Sequence, residues 1–573
     1  MAETLRVVSE RIDDIPVLLA HLDRMGLQSL LDEHFPTHGN WVGLSLGWVG
    51  VVWLTHILSE GDHRLNHMVP WATQRLHTLQ ECTGQPVHPL DVSDDRLATV
   101  LEALSVDTRW HTFEGALNQH TLRVYALQPA CVRLDSTSAS GYWSVTEDGL
   151  FQLGHSKDHR PDLPQVKIMV SALDPLGMPV ATDVVAGQRA DDPLYIPAIT
   201  RVREGLRRSG LLYVGDCKMA ALETRAFIQD GGDYYLCPLS ESQLPPAALA
   251  DYLTPVWTGE QPLSLLHRTP PDGSPELIAE GFERMESMTA ELAGHRDHWQ
   301  ERRLVIRSVQ LAQAGERGLH SRLAKAQAAI TALNTHGRGR RRWADPRALR
   351  EAVDTILARY RVQGLLHIRY TDRYSERPRR RHGGQVPTVR LEWEGQVTVS
   401  LDQEAVAAAV RHLGWRVYVT TQPCAQLSLQ QAVLAYRNEY LVERAMGRLK
   451  GRPLSLTPMY LERDDHATGL IRLLSIGLRV LTLLEFEVRQ RLARAKTALE
   501  GLYVGNPKRP TTHPTAERLL EAFQGLTLTI IREGRRQRRH LTPLSRVQKR
   551  ILILLDFPVT VYTKLGLDAH KPP

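Results

Sequence analysis

The sequence predicts an α/β protein with three parts: a helical N-terminal region, a mixed sheet flanked by helices, and an α+β insertion that interrupts the sheet. Three observations predict it. Apolar residues recur at helical spacing to about residue 125; three short strand-like runs follow with no helix between them; and a second change of pattern sets residues 241–411 apart from what lies on either side.

A chain of 573 residues exceeds one core and implies several structural units. Its 42% hydrophobic and 23% charged residues are the composition of a folded protein. The net charge of +6 is small for this length, so any nucleic-acid surface must come from local clustering. The five cysteines lie far apart with no CxxC pair, which argues against a disulfide framework or zinc knuckle and for a reducing cytoplasm. The first residues, MAETLRVVSERIDD, carry charge where a signal peptide needs an apolar core. The run 41–58, WVGLSLGWVGVVWLTHIL, approaches membrane-spanning length, but its glycines, His56 and amphipathic surroundings read as a buried helix. Residues 470–484 are interrupted by Arg472 and Arg479 and also read as a core helix, so no membrane partner is expected.

The elements follow in order. Residues 1–125 are read as helical, with Ser93 as an N-cap and Asp94 and Asp95 in a first turn where the helix dipole favours negative charge. ACVRLDST, QVKIMVSALD and MPVATDVVAG then read as three strands, the last two joined by a turn at Pro175, Leu176 and Gly177. A helix over 192–208, the strand LLYVGD and a helix over 220–228 complete a β-β-β-α-β-α order. The inserted stretch carries strand candidates at 281–288 and 303–308, helices at 318–333 and 345–361, and strands GLLHIRY and TVRLEWEGQVTVS beside basic loops. Strand 414–422 resumes the earlier style, one long helix is expected over 427–451, and another over 466–496. The parts are therefore 1–125, 126–240 with its continuation at 412–500, the insertion 241–411, and a basic C-terminal region 501–573.

An aspartate closes the first strand (Asp135) and another the fourth (Asp216). If those strands are neighbours, the two carboxylates meet at one sheet edge, where mutual repulsion and burial require a proton or a cation between them. Oxygen-only ligands suit Mg²⁺ or Mn²⁺. A third carboxylate should come from an adjacent element, and the helix after strand 414–422 supplies Glu443; Tyr436, Glu443 and Lys450 recur every seven residues, so they share one helix face. Taken singly, each acid has a plainer reading: Asp135 as a strand-end cap, Asp216 as a helix cap, Glu443 as a solvated charge beside Arg444.

In these residues the chain resembles the DDE transposases of bacterial insertion sequences, in the branch marked by Tyr-x2-Arg-x3-Glu-x6-Lys. Here the signature reads Tyr436, Glu439, Glu443, Lys450, with Glu439 standing where the family has arginine; that removes one expected DNA contact and makes Glu439 a rival for the metal. RLDSTS, GHSKDHRPDLPQ, YVGDCKMA and the stretch after Glu443 extend the resemblance over about residues 1–500. The resemblance implies a ribonuclease-H-like fold whose insertion falls between the second Asp and the Glu, Mg²⁺-dependent phosphoryl transfer by Asp135, Asp216 and Glu443, terminal-inverted-repeat and target DNA as substrates, and a homodimeric synaptic complex in the bacterial cytoplasm. Some relatives stack a flipped base on a tryptophan, for which Trp299, Trp343 and Trp393 are candidates.

Tyr436, Lys450, Lys157, His159 and Arg160 are the expected DNA contacts, with His155 in the same loop; a charged hairpin is the plainer reading of that loop. Arginine clusters at 338–342, 377–381 and 535–539 could neutralise phosphates or simply be solvated loops. His466, after Asp464 and Asp465, reads as a helix-start feature. No GxxxxGK[ST] or GxSxG occurs, which argues against ATP-driven and serine-hydrolase chemistry. The leading expectation is a transposase; a metal-dependent nuclease without strand transfer and a non-catalytic DNA-binding derivative are the alternatives.

Overall fold

The computed structural model describes residues 5–270, 273–292, 294–335, 343, 345–378, 389–534 and 536–567. It is a mixed α/β protein built on a nine-stranded sheet flanked by helices.

Strand β1 (Leu5–Arg11) precedes a helical region. Within that region the helix Leu46–Glu60, expected from the apolar run near residue 50, is buried along nearly its whole length and capped by Ser45 and Gly61. The sheet begins with β2 (Cys131–Ser140), β3 (Gln165–Leu173) and β4 (Met178–Ala186), continues through β5 (Leu212–Val214) and β6 (Tyr234–Pro238), and then takes β7 (Ser264–Arg268), β8 (Glu276–Leu292) and β9 (His295–Ser308). A separate hairpin, β10 (Leu366–Pro378) and β11 (Val389–Leu401), precedes β12 (Trp415–Thr420). The C-terminal region contributes β13 (Thr527–Glu533) and β14 (Arg536–Leu541).

The spatial order is β4-β3-β2-β5-β6-β12-β9-β8-β7. The β2–β3 and β3–β4 pairs are antiparallel, while β2–β5 and β5–β6 are parallel. Every residue of β3 is buried, as a strand covered on both faces requires. Side chains alternate between two cores. Val132 and Leu134 of β2 join the main core, whereas Cys131 and, on β5, Leu212 and Val214 pack with Ala432 and Val433 of the helix Leu429–Arg437.

Three findings differ from the sequence reading. The insertion is only partly a separate module. Its strands β7, β8 and β9 prolong the main sheet through β12, because Phe282, Val305 and Leu304 give these strands apolar faces of their own, and only the β10–β11 hairpin with helices Val309–Ala332 and Pro346–Tyr360 closes an independent core. The N-terminal segment is not wholly helical, since β1 pairs with β13 of the C-terminal region. The single helix expected over 427–451 is two, Leu429–Arg437 and Tyr440–Lys450, broken at Asn438 and Glu439. There Arg133 reaches up from β2 to donate to the Ala435 carbonyl at 2.6 Å, holding the first helix's last turn to the sheet.

The helix Asp464–Ala495 is long and apolar enough to cross a membrane, yet 94% of its apolar window is buried within the protein. Its two arginines explain how. Arg472 donates to the carbonyls of Leu104 and Ser105, each at 2.8 Å, and Arg479 pairs with Glu114 at 2.9 Å and bonds the Asn118 side chain. These buried charges are paired, as burial demands.

Candidate active site

The parallel pairing of β2 with β5 sets the register. Arg133 lies opposite Val214, so Asp135 and Asp216 each stand two residues farther along, at the same level of the sheet. Asp135 still belongs to β2, while Asp216 opens the turn that follows β5. Gly215, just before Asp216, has no room for a side chain: a Cβ would sit 2.8 Å from the Met219 sulfur and 3.3 Å from the Tyr195 ring.

Each aspartate is held. Asp216 accepts from the Tyr195 hydroxyl at 2.7 Å and from the Lys218 backbone N–H at 2.8 Å. Asp135 accepts from the Ser136 N–H at 2.8 Å and from Lys157 Nζ at 3.3 Å. Lys157 also donates to the Ser136 carbonyl and hydroxyl, at 2.6 and 2.8 Å, and lies 3.7 Å from Asp191. Burial raises the Asp135 carboxyl; the Lys157 ammonium lowers it and the nearby Asp216 charge raises it further.

The helix Tyr440–Lys450 crosses this edge. Glu439, its N-cap, lines one small cleft with Asp135, Gly215 and Tyr436. Burial raises the Glu439 carboxyl, and the charges of Asp135, Glu443 and Asp216 add to that, so four acids share one neighbourhood. Glu443, one turn on, is exposed. The site therefore brings Asp135 and Asp216 together and faces them with Glu439, while Glu443 stands at the rim. These four acids offer oxygen donors of the kind a hard divalent cation prefers, and their accumulated negative charge favours one, although no three of their oxygens lie within 4.8 Å of one another.

The expected DNA contacts are distributed less uniformly. Tyr436 is half-buried, its ring 4.7 Å from that of Tyr418. Lys450 pairs with Asp158 at 2.5 Å, which ties the end of the glutamate-bearing helix to the loop after β2. In that loop His155 and His159 are exposed, and Arg160 is exposed but paired with Asp162 at 2.7 Å. Lys157 points inward to Asp135 rather than outward. Of the tryptophans, Trp299 is buried and donates to the Tyr235 hydroxyl at 2.9 Å, Trp343 packs on the insertion core, and Trp393 donates to Asp372 at 3.0 Å. The clusters at 338–342 and 379–381 lie outside the described residues, as do the Arg377 side chain and Arg535.

No family model matches the chain, and no curated protein matches it. Among solved structures, one resembling it is the cryo-EM structure of the piggyBac transposase synaptic complex with hairpin DNA, at 8% identity and a TM-score of 0.32, over 89% of this chain and 80% of that one. Agreement at that level carries no argument about this chain.

Two residues that sequence reasoning missed are Tyr195 and Asp191. Asp191 accepts from Ser136 Oγ at 3.0 Å and from Lys167 Nζ at 2.7 Å, making it the second acid beneath Lys157. No local pattern marks either residue, because their partners lie on distant strands. A second acidic group lies away from the sheet edge. Donor atoms of Glu102, Asp465 and His466 come within 4.8 Å of one another. However, Arg463 already pairs with Glu102 at 2.9 Å and with Asp465 at 2.5 Å, which neutralises the cluster. His466 sits in the first turn of the helix Asp464–Ala495, as its sequence position implied.

Proposed function

We propose that this chain is a DNA transposase that uses Mg²⁺ or Mn²⁺ to cut and join DNA at the ends of an insertion sequence. The observation that carries the reading is the matched register of Asp135 and Asp216 on neighbouring parallel strands, faced by a glutamate-bearing helix. The order β4-β3-β2-β5-β6, three antiparallel strands followed by two parallel ones, supports a ribonuclease-H-like core. On this reading Asp135, Asp216 and Glu443 are the metal-holding and catalytic residues, with Glu439 the rival third ligand because it lines the cleft. A divalent ion held there supplies the Lewis acidity for an in-line displacement at phosphorus.

The chain's own groups do the rest. Tyr195 fixes the orientation of Asp216, and Lys157 offsets part of the charge of Asp135 and Asp191. Lys450, at the end of the helix that carries Glu443, and Tyr436, in the last turn of the preceding helix, are the contacts proposed for the DNA backbone, with Lys157, His159 and Arg160 from the loop after β2. The substrates would be terminal inverted repeats and target DNA, handled by a homodimer in a bacterial cytoplasm.

The test is a cleavage and joining assay on DNA carrying the element's ends, with Mg²⁺ and with D135A, D216A and E443A. Each substitution is expected to abolish chemistry while leaving end binding largely intact. Strand cleavage retained in all three would remove the mechanism, and cleavage without joining would reduce the protein to a nuclease.

A further inference from the structure

The helix Arg546–Leu554 forms one wall of an open groove of ≈ 820 Å³, far along the chain from the carboxylates. Arg546, Lys549 and Arg550 line that wall, and the apolar side chains of Leu499, Val547 and Ile553 line the groove beside them. Among the described residues, Arg546 and Lys549 enter no ion pair, and both are exposed. Arg550 makes a single long hydrogen bond, 3.5 Å to the Thr497 hydroxyl. One acid, Glu500, also lines the groove. Three neighbouring cations that enter no ion pair among the described residues, against one acid, leave the groove with a net positive charge that water solvates, and a polyanion that displaced that water and its own counterions would bind here.

The groove is also mechanically joined to the glutamate-bearing helix. Gln548 donates to the Ala522 carbonyl at 2.9 Å, next to the helix Ala516–Glu521. From that helix Glu517 pairs with Arg448 at 2.7 Å, on the helix that carries Glu443. These contacts link the groove wall to the helix that carries Glu443.

We propose that this C-terminal groove docks the phosphodiester backbone of duplex DNA. The inference rests on the DNA-processing reading above and adds a binding surface to it. Its test uses the full-length chain without divalent ions, a labelled duplex of arbitrary sequence, and salt varied between about 50 and 200 mM, a range over which phosphate binding weakens steeply. The variant R546Q/K549Q/R550Q is expected to reduce the slope of log Kobs against log salt by about 2 to 3, near 0.9 for each phosphate no longer neutralised. Its affinity at the low-salt end should fall at least tenfold. K549E alone, at an exposed position, should weaken binding several-fold with an unchanged melting temperature, which separates an effect on DNA binding from unfolding. A wild-type slope in the triple variant overturns the groove while leaving the transposase reading intact. Failure of the unmodified chain to bind duplex DNA at all overturns both, and tighter binding of an RNA duplex than of DNA overturns the assignment of ligand.

Discussion

Tyr195 is the smallest part of the site with a measurable consequence. Its buried hydroxyl donates to Asp216 Oδ1, and a hydrogen bond to a charged group is worth about 1.5–3 kcal/mol. Y195F removes that bond and little else, so it should lower stability by about 1–3 kcal/mol in urea denaturation and, by freeing Asp216 to rotate, weaken Mn²⁺ binding, as titration calorimetry would show. An unchanged affinity would mean that Asp216 needs no such support. The two glutamates separate in the same way. E443Q should abolish cleavage if the signature spacing selects the ligand, and E439Q should do so if the cleft wall does; whichever variant keeps wild-type rate excludes its residue. At this scale the sequence was legible where chemistry follows local pattern. A short apolar run followed by Asp marks Asp135 and Asp216, although β2 continues past Asp135 to Ser140 rather than ending there, whereas Tyr195 and Asp191 reach their partners from separate elements, and no spacing rule announces that. The direction of Lys157 was not legible: the loop folds it back onto β2 through the Ser138 hydroxyl, which accepts from the Lys157 N–H at 3.0 Å.

The helix pair that carries the glutamates depends on Arg133. This buried residue donates both to the Ala435 carbonyl and to Asp174, the latter at 2.9 Å. R133M keeps the apolar stem but frees the end of the helix Leu429–Arg437 and leaves Asp174 without its partner. Cleavage should drop by more than tenfold while thermal melting falls by only a few degrees; a drop confined to stability would show that helix placement does not govern the site. The break at Asn438 and Glu439 was not legible, because every residue over 427–451 tolerates a helix and that run contains no proline or glycine before Gly447. Tertiary anchoring won over propensity. The reach of β8 and β9 was missed for a related reason: charged residues such as Arg302 and Arg303 fall inside the strands, and only their pairing with Glu283 and Glu301 makes burial tolerable.

Across the whole molecule, buried charge links the N-terminal helices to the core helix Asp464–Ala495. Arg479 is fully buried between Glu114 and Asn118, so R479M leaves Glu114 with Arg201 alone and should cost about 3–5 kcal/mol in urea denaturation. A loss below about 1 kcal/mol would show that the pair is dispensable. Asp14 makes stability depend on pH. Burial pushes its carboxyl up from 3.8 to about 7, against the hydrogen bond from Ser59. Below pH ~4 both folded and unfolded chains hold the proton; between pH ~4 and ~7 only the unfolded chain releases it, so this contribution to stability declines as pH rises and is gone above ~7. D14N should flatten that decline by roughly 4 kcal/mol at most, read from melting curves between pH 4 and 8. An identical slope in the variant would place the titration elsewhere, with Glu487, raised by burial to about 7, the next group to substitute.

The central claim is that Asp135, midway along β2, and Asp216, just beyond β5, together hold a divalent ion. Crystals soaked in Mn²⁺ and measured at its absorption edge test this most directly. The account predicts an anomalous peak touching both Asp135 and Asp216, with Glu443 or Glu439 completing the oxygen ligands. A peak confined to Glu102, Asp465 and His466, or none at the sheet edge, would contradict it.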